Sequence, residues 1–321
     1  LPVMKAAEFL TDLEAKPAML HALADTLGAA SQSEVWPIAR GDRLLLAGMG
    51  SSWFAAETAA RRLRRAGVHA VAEMASVEAS YPPDPRLVVV GISANGGSKE
   101  TLALLGQHHG TSRTVALTNN PDAELPVDRT VLMHAGRETG GVACRSYVHT
   151  LALLLQLEQQ LTGGLPDLEA QLHRAADAAA WLLSQRDEWL PPLQRALGGP
   201  NGTWLLAPAE RLSSALQGAL MVREGPRRAA DGCETGEWNH VDVYLTKTLD
   251  YRALVFTGSR FDGDAVQWMR ERRSTFVAVG GQLHGAAYEL RYPGDDDPVV
   301  ALLTEILIPE VLAATWWLSR K

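Results

Sequence analysis

Hydroxyl, amide and glycine residues crowd one short stretch, Ser93-Ala94-Asn95-Gly96-Gly97-Ser98, between the apolar run Arg86 to Ile92 and the periodic run Thr101 to Leu105. A buried strand that enters a helix through such a turn leaves main-chain N–H groups without partners. It also aims the positive end of the helix dipole at the turn, which favours a bound phosphate. Ser93, Asn95 and Ser98 can add side-chain hydrogen bonds, each worth about 1.5–3 kcal/mol when one partner is charged. The plainer reading is that Ser98 only caps the helix and the glycines only turn the chain. A second turn of the same kind, Gly48-Met49-Gly50-Ser51-Ser52, follows the strand-like run Arg43 to Ala47. Two such turns on one side of one sheet can converge on one phosphate, which favours the anion reading.

Gly48-Met49-Gly50 also invites a dinucleotide fingerprint, with Glu73 at a plausible distance for a ribose. Trp53 stands where the third glycine of that motif should be, and a bulky indole there blocks the close approach, so no NAD site is expected. Glu224 draws attention for another reason. Gly225 and Pro226 mark a helix end, and a carboxylate in a last turn opposes the local negative dipole, which raises its pKa. Such a group suits proton transfer near neutral pH; the alternative is a surface ion pair with Arg223, Arg227 or Arg228.

These residues need a scaffold, and the chain provides a strand–helix alternation. Expected strands at 43–47, 69–73, 86–92, 113–118 and 130–134, with a helix over 53–66 and a long apolar one over 145–161, imply α/β architecture: a parallel sheet with crossover helices on both faces. An amphipathic lead-in broken near Pro17 precedes this unit. Connecting helix over 167–197, interrupted around Pro191-Pro192, follows it. A weakened copy then starts after Gly198-Gly199-Pro200, with strands near 203–207, 251–257 and 275–279. Its first turn, Ala207-Pro208-Ala209-Glu210, lacks the glycine and serine donors and carries a carboxylate, so the anion site belongs to the first unit. The expected divisions are a helical lead-in at 1–30, a first α/β domain at 31–163, a helical connector at 164–198 and a second domain at 199–321.

With 321 residues, 46% of them hydrophobic, the chain can bury a large core, and its net charge of −7 argues against a general nucleic-acid binder. Two cysteines, Cys144 and Cys233, show neither a metal spacing nor a disulfide framework and read as small core residues of a cytoplasmic protein. The apolar segment Val299 to Leu318 contains Glu305, Pro309 and Glu310, which fits a buried terminal helix better than a membrane span. His108-His109 reads as a solvated pair without metal partners. Asp295-Asp296-Asp297 precedes Pro298 at a helix start, where acidic residues offset the dipole. No cofactor and no metal are expected.

Together with Glu138 to Tyr147, the two glycine–serine turns resemble the tandem sugar isomerase (SIS) domain family, and most of all the isomerase half of glucosamine-6-phosphate synthase. Met49-Gly50-Ser51-Ser52 matches its Cys-Gly-Thr-Ser turn. Ser93 to Ser98 matches Ser-Gln-Ser-Gly-Glu-Thr, and Glu138 to Tyr147 matches Glu-x-Gly-x-x-x-Thr-Lys-Ala-Phe. The resemblance implies two SIS domains, each a doubly wound, flavodoxin-like sandwich. It also implies phosphosugar contacts from Gly50, Ser51, Ser52, Ser93, Asn95, Gly96, Ser98 and Gly141. Ala94 and Asn95 depart from the pattern, and one sugar-side contact is lost at Ala94. Ser214 to Glu224 resembles the family helix that ends in the catalytic glutamate, and sixteen residues later His240 stands at the interval of the ring-opening histidine. In relatives that histidine comes from a neighbouring subunit, which implies a homodimer. A lone histidine is usually structural; the matched interval is what singles out His240.

Met221 replaces a family lysine, a tail lysine has no counterpart before Lys321, and no amidotransferase domain precedes the first unit. The activity implied is therefore that of a glucosamine-6-phosphate deaminase: ring opening, C1–C2 proton transfer and ammonia release to fructose 6-phosphate. A fructosamine-phosphate deglycase and an aldose–ketose phosphosugar isomerase are the alternatives within the family. A phosphosugar-binding regulator is the alternative outside catalysis.

Overall fold

The computed structural model describes residues 4–30 and 35–320. Residues 1–3, 31–34 and 321, on which several expected domain limits fall, lie outside that range. Two helices come first, α1 (Ala6–Glu14) and α2 (Lys16–Ala29), and the break between them is at Ala15, just ahead of Pro17. Proline is tolerated so close to a helix start because its missing N–H would have no intrahelical acceptor there.

The chain divides into two compact bodies. The first comprises Ala18–Glu138 and Ala143–His173. Its sheet contains β1 (Arg43–Gly48), β2 (Ala70–Met74), β3 (Leu87–Ile92), β4 (Arg113–Thr118) and β5 (Arg129–Leu132), all parallel, in the order β2-β1-β3-β4-β5. Helices α3 (Ser51–Arg65), α4 (Lys99–His108) and α5 (Arg145–Thr162) cover it. Every residue of β3 is buried, as expected for a central parallel strand that is apolar on both faces. Helix α5 buries sixteen of its eighteen residues, and a buried Arg62–Glu158 pair joins it to α3 at 2.6 and 3.1 Å.

The second body comprises Leu1–Pro17, Thr139–Val142 and Arg174–Lys321. After α6 (Leu168–Ser184) and α7 (Arg186–Leu197) come β6 (Thr203–Ala207), α8 (Leu212–Glu224), β7 (Ala230–Glu234), α9 (Thr235–Trp238), β8 (Arg252–Phe256), α10 (Asp262–Glu271), β9 (Thr275–Val279), β10 (Tyr288–Leu290), α11 (Pro298–Thr304) and α12 (Leu307–Leu318). Its sheet is also all parallel, in the order β10-β9-β8-β6-β7. Read from the other edge, that order repeats the strand order of the first sheet.

Several expectations shift. The connecting helix breaks at Gln185, whereas Pro191 and Pro192 lie inside α7. Burial of Trp189, Leu190, Leu193 and Leu197 holds that helix despite the two lost main-chain donors. The terminal helix is two helices separated at Glu305 and Ile306. The Pro298–Leu318 segment is long and apolar enough to cross a membrane, yet 94% of its most apolar window is buried in the fold, so it serves as core. Asp297 caps α11 by accepting from the Val299 and Val300 amides at 2.9 and 3.3 Å. Of the two adjacent histidines, only His109 is solvated. His108 is the last residue of α4, is 1% exposed and meets Ser112 Oγ through Nδ1 at 3.0 Å, and burial lowers its pKa. Cys144 and Cys233 are free and buried, and the Cys233 thiol is pushed up to about 12 by burial and neighbouring carboxylates.

Candidate active site

The first body brings the two glycine–serine turns together. Gly48 and Ile92 are register partners at the carboxyl ends of β1 and β3, so both turns leave adjacent strands on the same side. At the first turn Gly50 has φ +53°, and Ser51 and Ser52 open α3, half-buried. A Cβ on Gly48 would lie 2.6 Å from the Ser52 Cβ and 3.1 Å from the Ile92 carbonyl, so only glycine lets α3 start this close to β3. Trp53 stands in the same first turn of α3, with its ring 5.7 Å from that of Phe54, where a dinucleotide site would require a third glycine.

The second turn is held by its own polar atoms. Ser93 is 8% exposed, and its Oγ accepts weakly from the Ser98 amide at 3.4 Å. Asn95 Oδ1 accepts from the Gly97 amide at 2.9 Å, and the Gly96 amide donates to the Ser93 carbonyl at 3.0 Å. Gly96 has φ +72°, and a Cβ there would press within 2.6 Å of Ala123 Cβ. Ser98 caps α4, accepting from the Thr101 amide at 3.3 Å, so the plain capping role is real. Its hydroxyl also donates to Glu100 Oε2 at 3.0 Å. Glu100 was not anticipated; that hydrogen bond and one from its own amide lower its pKa. A phosphate that reached the Ser98 hydroxyl would therefore have to displace a carboxylate.

Beside this turn opens a cleft of about 570 Å³ lined by Ala94, Asn95, Asn119, Asn120, His134 and Arg137, among others. The two asparagines tie its walls together. The Asn119 amide N–H donates to the Ala94 carbonyl and its Nδ2 to the Gly136 carbonyl, while Oδ1 accepts from the Ala135 amide. Asn120 Nδ2 donates to the Asn95 carbonyl at 3.2 Å. Sequence reasoning missed both residues because Thr118-Asn119-Asn120 resembles an ordinary strand end; only its proximity to the Ser93 turn gives it meaning. Glu138, the first residue of the third matched segment, accepts from the Cys144 and Ser146 amides at 2.8 and 3.0 Å and from Ser146 Oγ at 2.7 Å, closing the N-terminus of α5.

The remaining expected residues belong to the second body. Gly141 has φ +73° in the Thr139–Val142 segment, which lies against α1: the Lys5 amide donates to the Gly140 carbonyl, and Asp12 Oδ2 accepts from the Gly140 amide. Glu224 ends α8, half-buried, and burial raises its pKa. The cause is desolvation of the carboxylate. No hydrogen bond or ion pair engages its carboxylate among the described residues. Two of the three expected arginine partners engage other groups: Arg223 meets the Ala230 carbonyl and Asp231, and Arg228 donates to the Gly199 carbonyl and stacks on Trp316 at 4.5 Å. Met221, in place of the family lysine, is buried.

His240 is exposed beyond α9 and lines a separate cleft of about 470 Å³ with Glu234, Glu237, Phe261, Asp264 and Trp268; Glu224 is not among its lining residues. Glu224 and His240 thus share a body but not a cleft. Among the described residues no group of three or more His, Cys, Asp or Glu side chains is arranged to hold a metal ion.

No protein-family profile matches the chain. Among curated proteins it is similar to the glutamine–fructose-6-phosphate aminotransferase (isomerizing) of Thermococcus kodakarensis, 26% identical over 224 residues, 65% of this chain and 37% of the relative. The chain thus spans about two fifths of the length of that relative. Among solved structures it is similar to the C-terminal domain of glucosamine-fructose-6-phosphate aminotransferase from Francisella tularensis, with a TM-score of 0.83 at 16% identity, covering 97% of this chain and 96% of that one. Tagatose-6-phosphate ketose/aldose isomerase from Escherichia coli gives a TM-score of 0.77 at 16% identity, covering 99% and 96%. Glucosamine-6-phosphate deaminase from Thermotoga maritima gives 0.71 at 15%, covering 98% and 95%. The protein has the fold of the SIS-domain phosphosugar isomerases.

Proposed function

We propose that the protein is a phosphosugar isomerase that acts on an amino sugar phosphate in the manner of a glucosamine-6-phosphate deaminase. The observation that carries this reading is Glu224, a half-buried carboxyl with a raised pKa and no partner at the end of α8. A carboxyl in that state can take a proton and return it one carbon away near neutral pH. The likeness to proteins that act on hexose and hexosamine phosphates supports the substrate class. Gly50, Ser51, Ser52, Ser93, Asn95, Gly96 and Ser98 are the proposed phosphate-holding residues, with Gly141 as a main-chain contact.

His240 takes the proton of the anomeric hydroxyl and protonates the ring oxygen, which gives the open-chain aldose. Glu224 removes the proton on C2, the electrons pass to the C1 carbonyl, and the proton returns at C1 as the C2 amine becomes an imine. Water adds at C2 and ammonia leaves, so glucosamine 6-phosphate and water yield fructose 6-phosphate and ammonia. We further propose a homodimer in which His240 serves the neighbouring copy; its exposure, in a cleft that Glu224 does not line, supports this arrangement.

A panel of hexosamine, hexose and fructosamine 6-phosphates, with ammonia and product sugars followed by mass, tests the reading. Ammonia and fructose 6-phosphate from glucosamine 6-phosphate are expected, and Glu224→Gln lowers turnover about a hundredfold or more while binding holds within a few fold. The similarity to the tagatose-phosphate enzyme favours simple aldose–ketose isomerisation as the second reading, which the panel detects as a ketose formed without ammonia. Release of ammonia from fructosamine phosphates alone would indicate a deglycase. Binding with no turnover of any sugar would leave a phosphosugar-responsive regulator.

A further inference from the structure

Arg137 and His134 line the cleft beside the Ser93 turn, and no hydrogen bond or ion pair engages either side chain among the described residues. The only carboxylate among the lining residues is Glu138, and both its oxygens are committed to the start of α5 through Cys144 and Ser146. The cleft therefore holds a guanidinium and an imidazole to which no carboxylate of its lining is bonded.

The segment carrying them is fixed. Arg145 donates from Nε to the Ala135 carbonyl at 2.9 Å and from a terminal nitrogen to the Arg137 carbonyl at 2.6 Å, and Asn119 clamps Ala135 and Gly136. His134 is held at φ +54°, a left-handed conformation that non-glycine residues seldom adopt. Strain of this kind persists where the surroundings enforce it, and it concentrates at functional sites. Ala94, whose side chain is a single methyl, lines the cleft next to the Ser93 turn.

We propose that this cleft receives a carboxylate carried by the phosphosugar, with Arg137 as its main partner and His134 as a second donor. The inference rests on the phosphosugar reading above and extends it: besides an amino sugar phosphate, the site takes an acidic derivative of one, anionic at two separated places. An exposed lysine would hold such a group as a point charge, whereas a guanidinium can grip both carboxylate oxygens.

Four ligands separate the two claims: glucosamine 6-phosphate, its N-carboxymethyl derivative, and the unphosphorylated form of each, titrated calorimetrically into the whole protein. The carboxymethyl group is expected to tighten binding roughly tenfold, with or without phosphate. In Arg137→Ala that preference falls to about one, and Arg137→Lys restores part of it. Arg137 is exposed, so neither substitution threatens folding. A preference that is absent in the unaltered protein, or that survives Arg137→Ala, overturns the carboxylate subsite. Equal affinity for phosphorylated and unphosphorylated members instead overturns the phosphosugar reading and leaves the carboxylate effect to be judged on its own pair.

Discussion

The turn after β3 and the turn after β8 stand at equivalent places in sheets of the same strand order, yet their amides are satisfied in opposite ways. After β3, neutral atoms accept: Asn95 Oδ1 takes the Gly97 amide and Ser93 Oγ the Ser98 amide. After β8, the Asp262 carboxylate takes the Gly258 amide at 2.7 Å, and Gly258 has φ +117°. Arg211 donates to the Thr257 carbonyl and to the buried Glu305 at 2.9 Å, bringing an ion pair to the same turn. A dianion can outcompete an amide or hydroxyl acceptor, but a resident carboxylate repels it. Turns at matching places in the two sheets thus differ: the amides of one meet neutral acceptors, and an amide of the other meets the protein's own acid. Glu210, the carboxylate singled out in the sequence, belongs to a different turn, the one that follows β6.

The largest way to break this comparison is to strip the filled turn. Arg211→Ala leaves the buried Glu305 without its cation and should cost about 3–5 kcal/mol in a urea melt; a loss below 1 kcal/mol would mean that the pair does not hold the turn. The open turn should respond in binding instead. Ser93→Ala is expected to weaken phosphosugar affinity about tenfold while sparing the unphosphorylated sugar, and Glu100→Gln to tighten it a few fold by freeing the Ser98 hydroxyl from a competing charge. Equal losses for both sugars, or no gain from Glu100→Gln, would place the anion elsewhere.

The smallest expected effect contrasts Glu305, which has Arg211, with Glu224, which has no partner. Burial raises the Glu224 pKa above its ordinary 4.5, so the folded state binds that proton more tightly than the unfolded chain. Its stability cost is therefore absent below pH 4.5 and grows as pH rises from there through the raised folded value. Glu224→Gln should match the parent Tm at pH 4 and exceed it by roughly 1–4 °C at pH 7. A pH-independent difference would deny the shift.

Apolar runs made most of the scaffold readable. Leu44 to Ala47, Leu87 to Ile92 and Val115 to Leu117 announce buried parallel strands, and Ser98 announces its cap. The edge strands of the second sheet were silent: Ala230-Asp-Gly-Cys-Glu234 and Tyr288-Glu-Leu290 bury too little to show a pattern, and their pairing with β6 and β9 is what defines them. Local signals also misled where packing decides, as at Pro191-Pro192 and at His108. In the candidate site, hydroxyl residues were visible because their type and spacing carry chemistry. Glu100, Asn119 and Asn120 were not, since their roles depend on which carbonyl or hydroxyl the folded chain brings to them.

The second body is stitched from three stretches of sequence, and its first helix, α1, packs Phe9 against Trp317 of the last, with ring centroids 6.2 Å apart. On the ribosome those partners emerge some three hundred residues apart, about 15–60 s at ordinary synthesis rates. All of the Ala18–His173 segments needed for the first body are available before then, so that body can close while the apolar side of α1, carrying Phe9 and Leu13, still waits for its cover. A nascent chain stalled before residue 307 should therefore present α1 to chaperones or to neighbouring chains, and the emergence of α12 is the event that withdraws it.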